Sequence, residues 1–128
     1  MSYYFSKIVN ENFDSTVDRV TNLLKDEGFG ILTEIDVTKT LKEKLNVDFK
    51  KYRILGACNP PYAYKALQAE DKIGTMLPCN VIVIEHYEGE VEVAAVDPIA
   101  SMQAIQNKSL ASIANEVRLK LKSIVENV

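Results

Sequence analysis

The 128-residue chain has no tryptophan, a single histidine and two cysteines. Two thiols are too few for a disulfide-scaffolded mini-protein, and one imidazole excludes any site built on several histidine ligands. Glycine and proline are scarce, at five and four residues. They stand singly or in tight clusters between periodic segments, so they punctuate elements and form no linker. Positive charge is also short: 15 Lys and Arg face 18 Asp and Glu, a net charge of −3. That balance argues against a default binder of nucleic acid or of an anionic membrane surface, which would show a basic stripe. No apolar run reaches the roughly 20 residues that a membrane span requires. The opening Met1-Ser2-Tyr3-Tyr4-Phe5 lacks the basic and long apolar regions of a signal peptide. What remains, 47% hydrophobic and 26% charged, is the composition of a globular domain. One domain over residues 1–128 is expected, in the cytoplasm.

The periodicities predict β-α-β-α-β-α-β-β-α. Residues 3–10 read as a strand, with Tyr3, Phe5 and Val9 on one parity. A helix over 14–27 follows, capped by Asp14 or Ser15, with Val17, Val20 and Leu24 on its apolar stripe and Gly28 as its stop. Residues 30–35 form a strand with Ile31, Thr33 and Ile35 on one face. Asp36 caps a helix over 37–46 whose stripe is Val37, Leu41 and Leu45. A strand over 52–58 runs into Asn59-Pro60-Pro61, where asparagine suits the N-cap and proline the first helical position of a helix over 60–69. Ala63, Ala66 and Leu67 are its inward side. Residues 70–78 read as a connection. The strands 79–86 and 90–97 flank Tyr87-Glu88-Gly89 as a hairpin, and Pro98 ends the second of them. The last helix spans 109–125 on Leu110, Ile113, Val117, Leu121 and Ile124. The fold class is α+β with a mostly antiparallel sheet. Val81 and Val83 oppose Ile82 and Ile84, and Ile54 opposes Leu55, so the central strands are apolar on both faces. Helices can cover one face, and a homodimer is the expected cover for the other.

Chemistry concentrates in two blocks, Gly56-Ala57-Cys58-Asn59-Pro60-Pro61-Tyr62 and Leu77-Pro78-Cys79-Asn80. Cys58 ends a strand just before a helix N-terminus, whose partial positive charge stabilises a thiolate. Cys79 begins a strand and would lie near Cys58 if the strands are neighbours. The candidate ligand-binding residues are therefore Cys58, Asn59, Pro60, Cys79 and Asn80. A free cysteine is equally a small buried apolar residue. As a functional pair the two cysteines read as a redox couple, a nucleophile with a helper, or thiolate ligands to a metal or haem iron. Their 21-residue spacing matches no zinc or thioredoxin motif, and no specific metal site is expected. Tyr52-Arg53, Tyr62, Tyr64 and Lys65 fall around the Asn-Pro-Pro turn, where they could meet an anionic or aromatic ligand. Pro61 raises the question of a cis bond. His86 reads as an exposed residue beside the hairpin, and Glu85, Glu88, Glu90 and Glu92 as its solvated tip. Gly28-Phe29-Gly30 follows a helix and precedes a strand, the reverse of a phosphate loop.

The run Gly28 to Asp36, the run Tyr52 to Pro60, Leu77-Pro78-Cys79-Asn80-Val81 and Asp97-Pro98 together resemble the family called domain of unknown function 302, over nearly the whole chain. The resemblance implies an α+β fold similar to the TATA-binding-protein architecture, in small bacterial and archaeal proteins, and supports dimerisation. It implies no activity, the cofactor stays unknown, and a shared topology does not carry DNA binding with it. The expected function is a homodimeric small-ligand-binding protein with its site at the two Cys-Asn blocks. The alternatives are a thiol-dependent enzyme or redox protein using Cys58, and a structural or interaction module in which the cysteines are core packing.

Overall fold

A computed structural model describes residues 2–128. Strand β1 (Tyr4–Val9) leads into helix α1 (Phe13–Asp26), β2 (Gly30–Asp36) into α2 (Val37–Leu45), and β3 (Tyr52–Cys58) into α3 (Pro60–Ala69). A 3-10 turn, Asp71–Met76, precedes the hairpin of β4 (Cys79–Tyr87) and β5 (Glu90–Val96). The short helix α4 (Pro98–Ser101) and the long helix α5 (Lys108–Asn127) follow. Every expected element forms in the expected order. The 3-10 turn and α4 are the additions.

The strands make one five-stranded sheet, ordered β1-β5-β4-β3-β2, with every neighbouring pair antiparallel. β1 and β2 follow one another in sequence but occupy opposite edges, so α1 must cross the sheet. It does so beside α5, against the same face. The core lies between them: Leu55, Val81, Val83, Val91 and Val93 from alternate strand positions meet Val20, Leu24, Leu121 and Ile124. Each fully buried aliphatic side chain contributes roughly 1.5–3 kcal/mol, so this layer is the main source of stability. A smaller cluster of Ala66, Ile73 and Leu110 joins α3, the 3-10 turn and α5.

Several local expectations are corrected. Asn12, not Asp14 or Ser15, caps α1, its Oδ1 accepting from the Ser15 N–H at 2.7 Å. The earlier start brings Phe13 into the core. Gly28 (φ +89) and Gly89 (φ +80) take the left-handed conformations expected of a helix stop and a hairpin. Asp36 caps α2 as expected, but the stripe of that helix is not buried, and Leu45 is 66% exposed. The helix is held at its first turn, where Thr38 Oγ1 accepts from the Tyr52 N–H and donates to the Lys50 carbonyl. Leu67 likewise faces outward, and Ala66 carries the burial of α3. In β2 a bulge lies between Ile31 and Thr33. It sends Ile31 to the core side opposite Ala57, and Thr33 and Ile35 to the other side opposite Gly56 and Ile54, so the three do not share a face.

The second face carries Ser6, Ala94, Ile82, Ile54 and Ile35 in register across all five strands. Tyr4, Ile8 and Ile35 on it are exposed. A shallow groove here is bordered by strand residues and Tyr3. The central strands are apolar on both faces, and the two long helices occupy only one of them.

Candidate functional site

β3 and β4 pair with Ala57 opposite Cys79 and Gly56 opposite Asn80. Successive strand residues point to opposite faces, and this sorts the candidates. Cys79 falls on the helix side and is buried. Asn80 falls on the open face, is exposed, and borders the groove there. The second Cys-Asn block is thus split across the sheet, and Asn80 shares no site with Cys79.

On the helix side, an apolar cavity with about 40 Å³ of free space sits between the ends of β3 and β4, α3 and α5. Cys58, Asn59 and Cys79 all border it. A single water needs roughly 10–15 Å³ of such space, so the cavity admits a few atoms and no nucleotide or flavin. Tyr62 supplies part of the α3 wall and Val117 part of the α5 wall.

Asn59 precedes α3 but its side chain does not cap it. Pro60 and Pro61 follow directly and have no N–H to offer, so little is left for a cap to accept. The buried Asn59 amide instead donates to the Glu27 carbonyl at 3.1 Å and ties the cavity wall to the end of α1. The same prolines remove two of the backbone donors that would have met a thiolate at Cys58. Pro60 itself is exposed and stands outside the wall. The cis bond falls at Leu77–Pro78, not at Pro60 or Pro61.

Both cysteines are free thiols, Cys58 half-buried and Cys79 buried. Burial, with the nearby Cys58 adding to it, pushes the Cys79 thiol from 9.0 up to about 11. Cys79 is therefore neutral at pH 7 and a poor nucleophile. The linkage has a definite sign. Between pH 9 and about 11 the unfolded chain releases this proton while the folded chain keeps it, so stability falls as pH rises through that window. Two units correspond to about 2–3 kcal/mol. Urea unfolding at pH 8 and pH 11 should show that extra alkaline loss in the native protein relative to Cys79→Ala. Equal losses in the two proteins would contradict the burial of this thiol.

The other sequence candidates lie elsewhere. His86 Nε2 is 2.8 Å from Glu92 Oε1 beside the hairpin. Among the described residues no three His, Cys, Asp or Glu side chains gather as a metal site. Arg53 pairs with Glu34 at 2.7 Å and lies over the Phe13 ring, Tyr52 borders the open-face groove, and Tyr64 is exposed. Of that group only Tyr62 borders the cavity, with Lys65 lying 6.0 Å from its ring. Sequence reasoning missed Met102, Leu110 and Ala114, which complete the cavity from α5 and the segment before it. No local signal marks them, because only the packing of α5 on α3 brings them there.

No functionally curated protein matches the chain. The profile of Domain of unknown function DUF302 matches residues 5–128. A crystal structure of an uncharacterized conserved DUF302 protein from Bacillus stearothermophilus is similar, with 28% identity, 98% of each chain covered and a TM-score of 0.90. The segment that packs into a five-stranded antiparallel sheet under two long helices is nearly the whole of the matched region, and the chain belongs to the DUF302 family.

Proposed function

We propose that the chain is a small-ligand-binding protein that works as a homodimer, with its ligand in the cavity at Cys58 and Cys79. The observation that carries this reading is that residues from both sequence blocks, Cys58, Asn59 and Cys79, border one apolar cavity. Pockets of this kind, apolar with a few convergent reactive or polar groups, are where small molecules are held. The neutral Cys79 thiol favours binding over nucleophilic catalysis. Cys58 is the more accessible thiol and supports a second reading, an enzyme or redox protein acting through it. The two free thiols fit a reducing compartment, so the cytoplasm is the proposed location.

The open sheet face supports the dimer. Its row of Ala94, Ile82, Ile54 and Ile35 runs across four strands, and a second copy related by a two-fold axis presents the same row.

A thermal-shift screen of small apolar and thiol-seeking compounds tests the pocket. Hits should raise the melting temperature of the native protein and lose that effect in Cys58→Ser and Cys79→Ser. Shifts that persist unchanged in both variants place the ligand elsewhere.

A further inference from the structure

We propose that the cavity at Cys58 and Cys79 is a site for a single Cu(I) ion, held by the two cysteine sulfurs with the Met102 thioether as third ligand. This names a ligand class for the pocket reading above and rests on it. Cys58, Cys79, Met76 and Met102 are the sulfur-bearing residues described. Three of the four border this one cavity. Thiolate and thioether sulfur are soft ligands and select Cu(I) over harder ions. No carboxylate or imidazole borders the cavity, so calcium and magnesium find no ligands there, and zinc lacks its four nitrogen or thiolate donors. Free space of about 40 Å³ suits an ion and leaves no room for a nucleotide or flavin.

Met102 is half-buried and borders both the cavity and a surface groove with Ile99, Gln103 and Asn107, which offers a route from solvent. The spacing of two cysteines in sequence did not suggest a metal, because the third sulfur comes from the distant segment after α4. Binding forms three sulfur–copper bonds, two from thiolates and one from the Met102 thioether, and breaks the two cysteine S–H bonds, whose protons leave to solvent. No electron is transferred. One net negative charge remains on the copper–dithiolate unit.

The test is an anaerobic titration of the intact protein with Cu(I) in competition with bicinchoninate, with stoichiometry read by native mass spectrometry. One Cu(I) per chain is expected, with uptake tightening as pH rises because thiol protons must leave. Cys58→Ser and Cys79→Ser should each abolish uptake. Met102→Leu, which conserves volume, should weaken it by about tenfold or more, at least the lower end of what losing a mere outer-shell partner costs. Zn(II) should not be retained under the same competition. Failure of the native protein to take Cu(I) from the chelator overturns the site, as does uptake indifferent to Cys58→Ser or Met102→Leu. Circular dichroism reports whether each variant is folded, and Met102→Leu decides if a cysteine variant is not. Thermal-shift hits that depend on the cysteines, with no Cu(I) uptake, would leave the ligand pocket standing and remove only the metal.

Discussion

Gly56→Ala should destabilise the fold by roughly 3 kcal/mol, the upper end of what overpacking a close-packed site costs. A Cβ at this position would run into Thr33 Oγ1 and lie 2.8 Å from Pro78 Cγ. Neither neighbour can yield easily. Thr33 is β-branched and fixed in the β2–β3 ladder, and the Pro78 ring is rigid where it leads into β4. Urea unfolding followed by circular dichroism measures the loss. Adding Thr33→Ala should recover part of it, because the Thr33 Cβ stands at an ordinary contact distance of 3.5 Å and contacting sites couple. An unchanged midpoint for Gly56→Ala would show that the β3 end is looser than the packing implies.

The second large effect concerns assembly. Ile54→Glu should convert the proposed dimer to monomer. Ile54 sits between Ile82 and Ile35 in the row that crosses the open face. Two copies meeting there would bring two carboxylates into an apolar contact. Like charges so placed cost several kcal/mol. A loss of roughly 4 kcal/mol weakens association about a thousandfold. Sedimentation equilibrium should show a native dimer and a monomeric variant, with the same circular dichroism because Ile54 lies outside the main core. A native protein that sediments as a monomer overturns the dimer, and a variant that remains dimeric moves the contact to another face.

Local chemistry decided what was legible in the sequence. Strand and helix positions follow from apolar period and from Gly28, Asp36, Gly89 and Pro98, and each of these acts where its own chemistry places it. The antiparallel class follows from the hairpin. Three things were hidden. The bulge in β2 has no marker in Gly30 to Ile35, and alternation alone puts Ile31 on the wrong face. The outward turn of Leu67 and Leu45 depends on which elements stand opposite them. A helical stripe shows what can be buried, not that a partner layer exists. At the candidate site, strand adjacency and the two thiols were legible. Register was not, and it sent Asn80 to the far side of the sheet. Asparagine before a helix suits a cap, whereas the prolines after Asn59 leave its amide to bridge to α1. The α5 side of the cavity rests on packing between residues far apart in the chain, from Tyr62 to Leu110 and beyond.

The extra residue in β2 also bears on how the molecule behaves when crowded. An outer strand offers a row of unused N–H and C=O groups to any other strand that meets it, which is how soluble sheets begin to grow into fibrils. At Leu32 the ladder is out of step by one residue, so a flat incoming strand cannot match β2 along its length. The opposite rim has no such interruption: β1 pairs with β5 in unbroken register from Tyr4 to Val9. The molecule is thus guarded on one rim and open on the other. Runaway stacking of copies, if it starts, starts along β1.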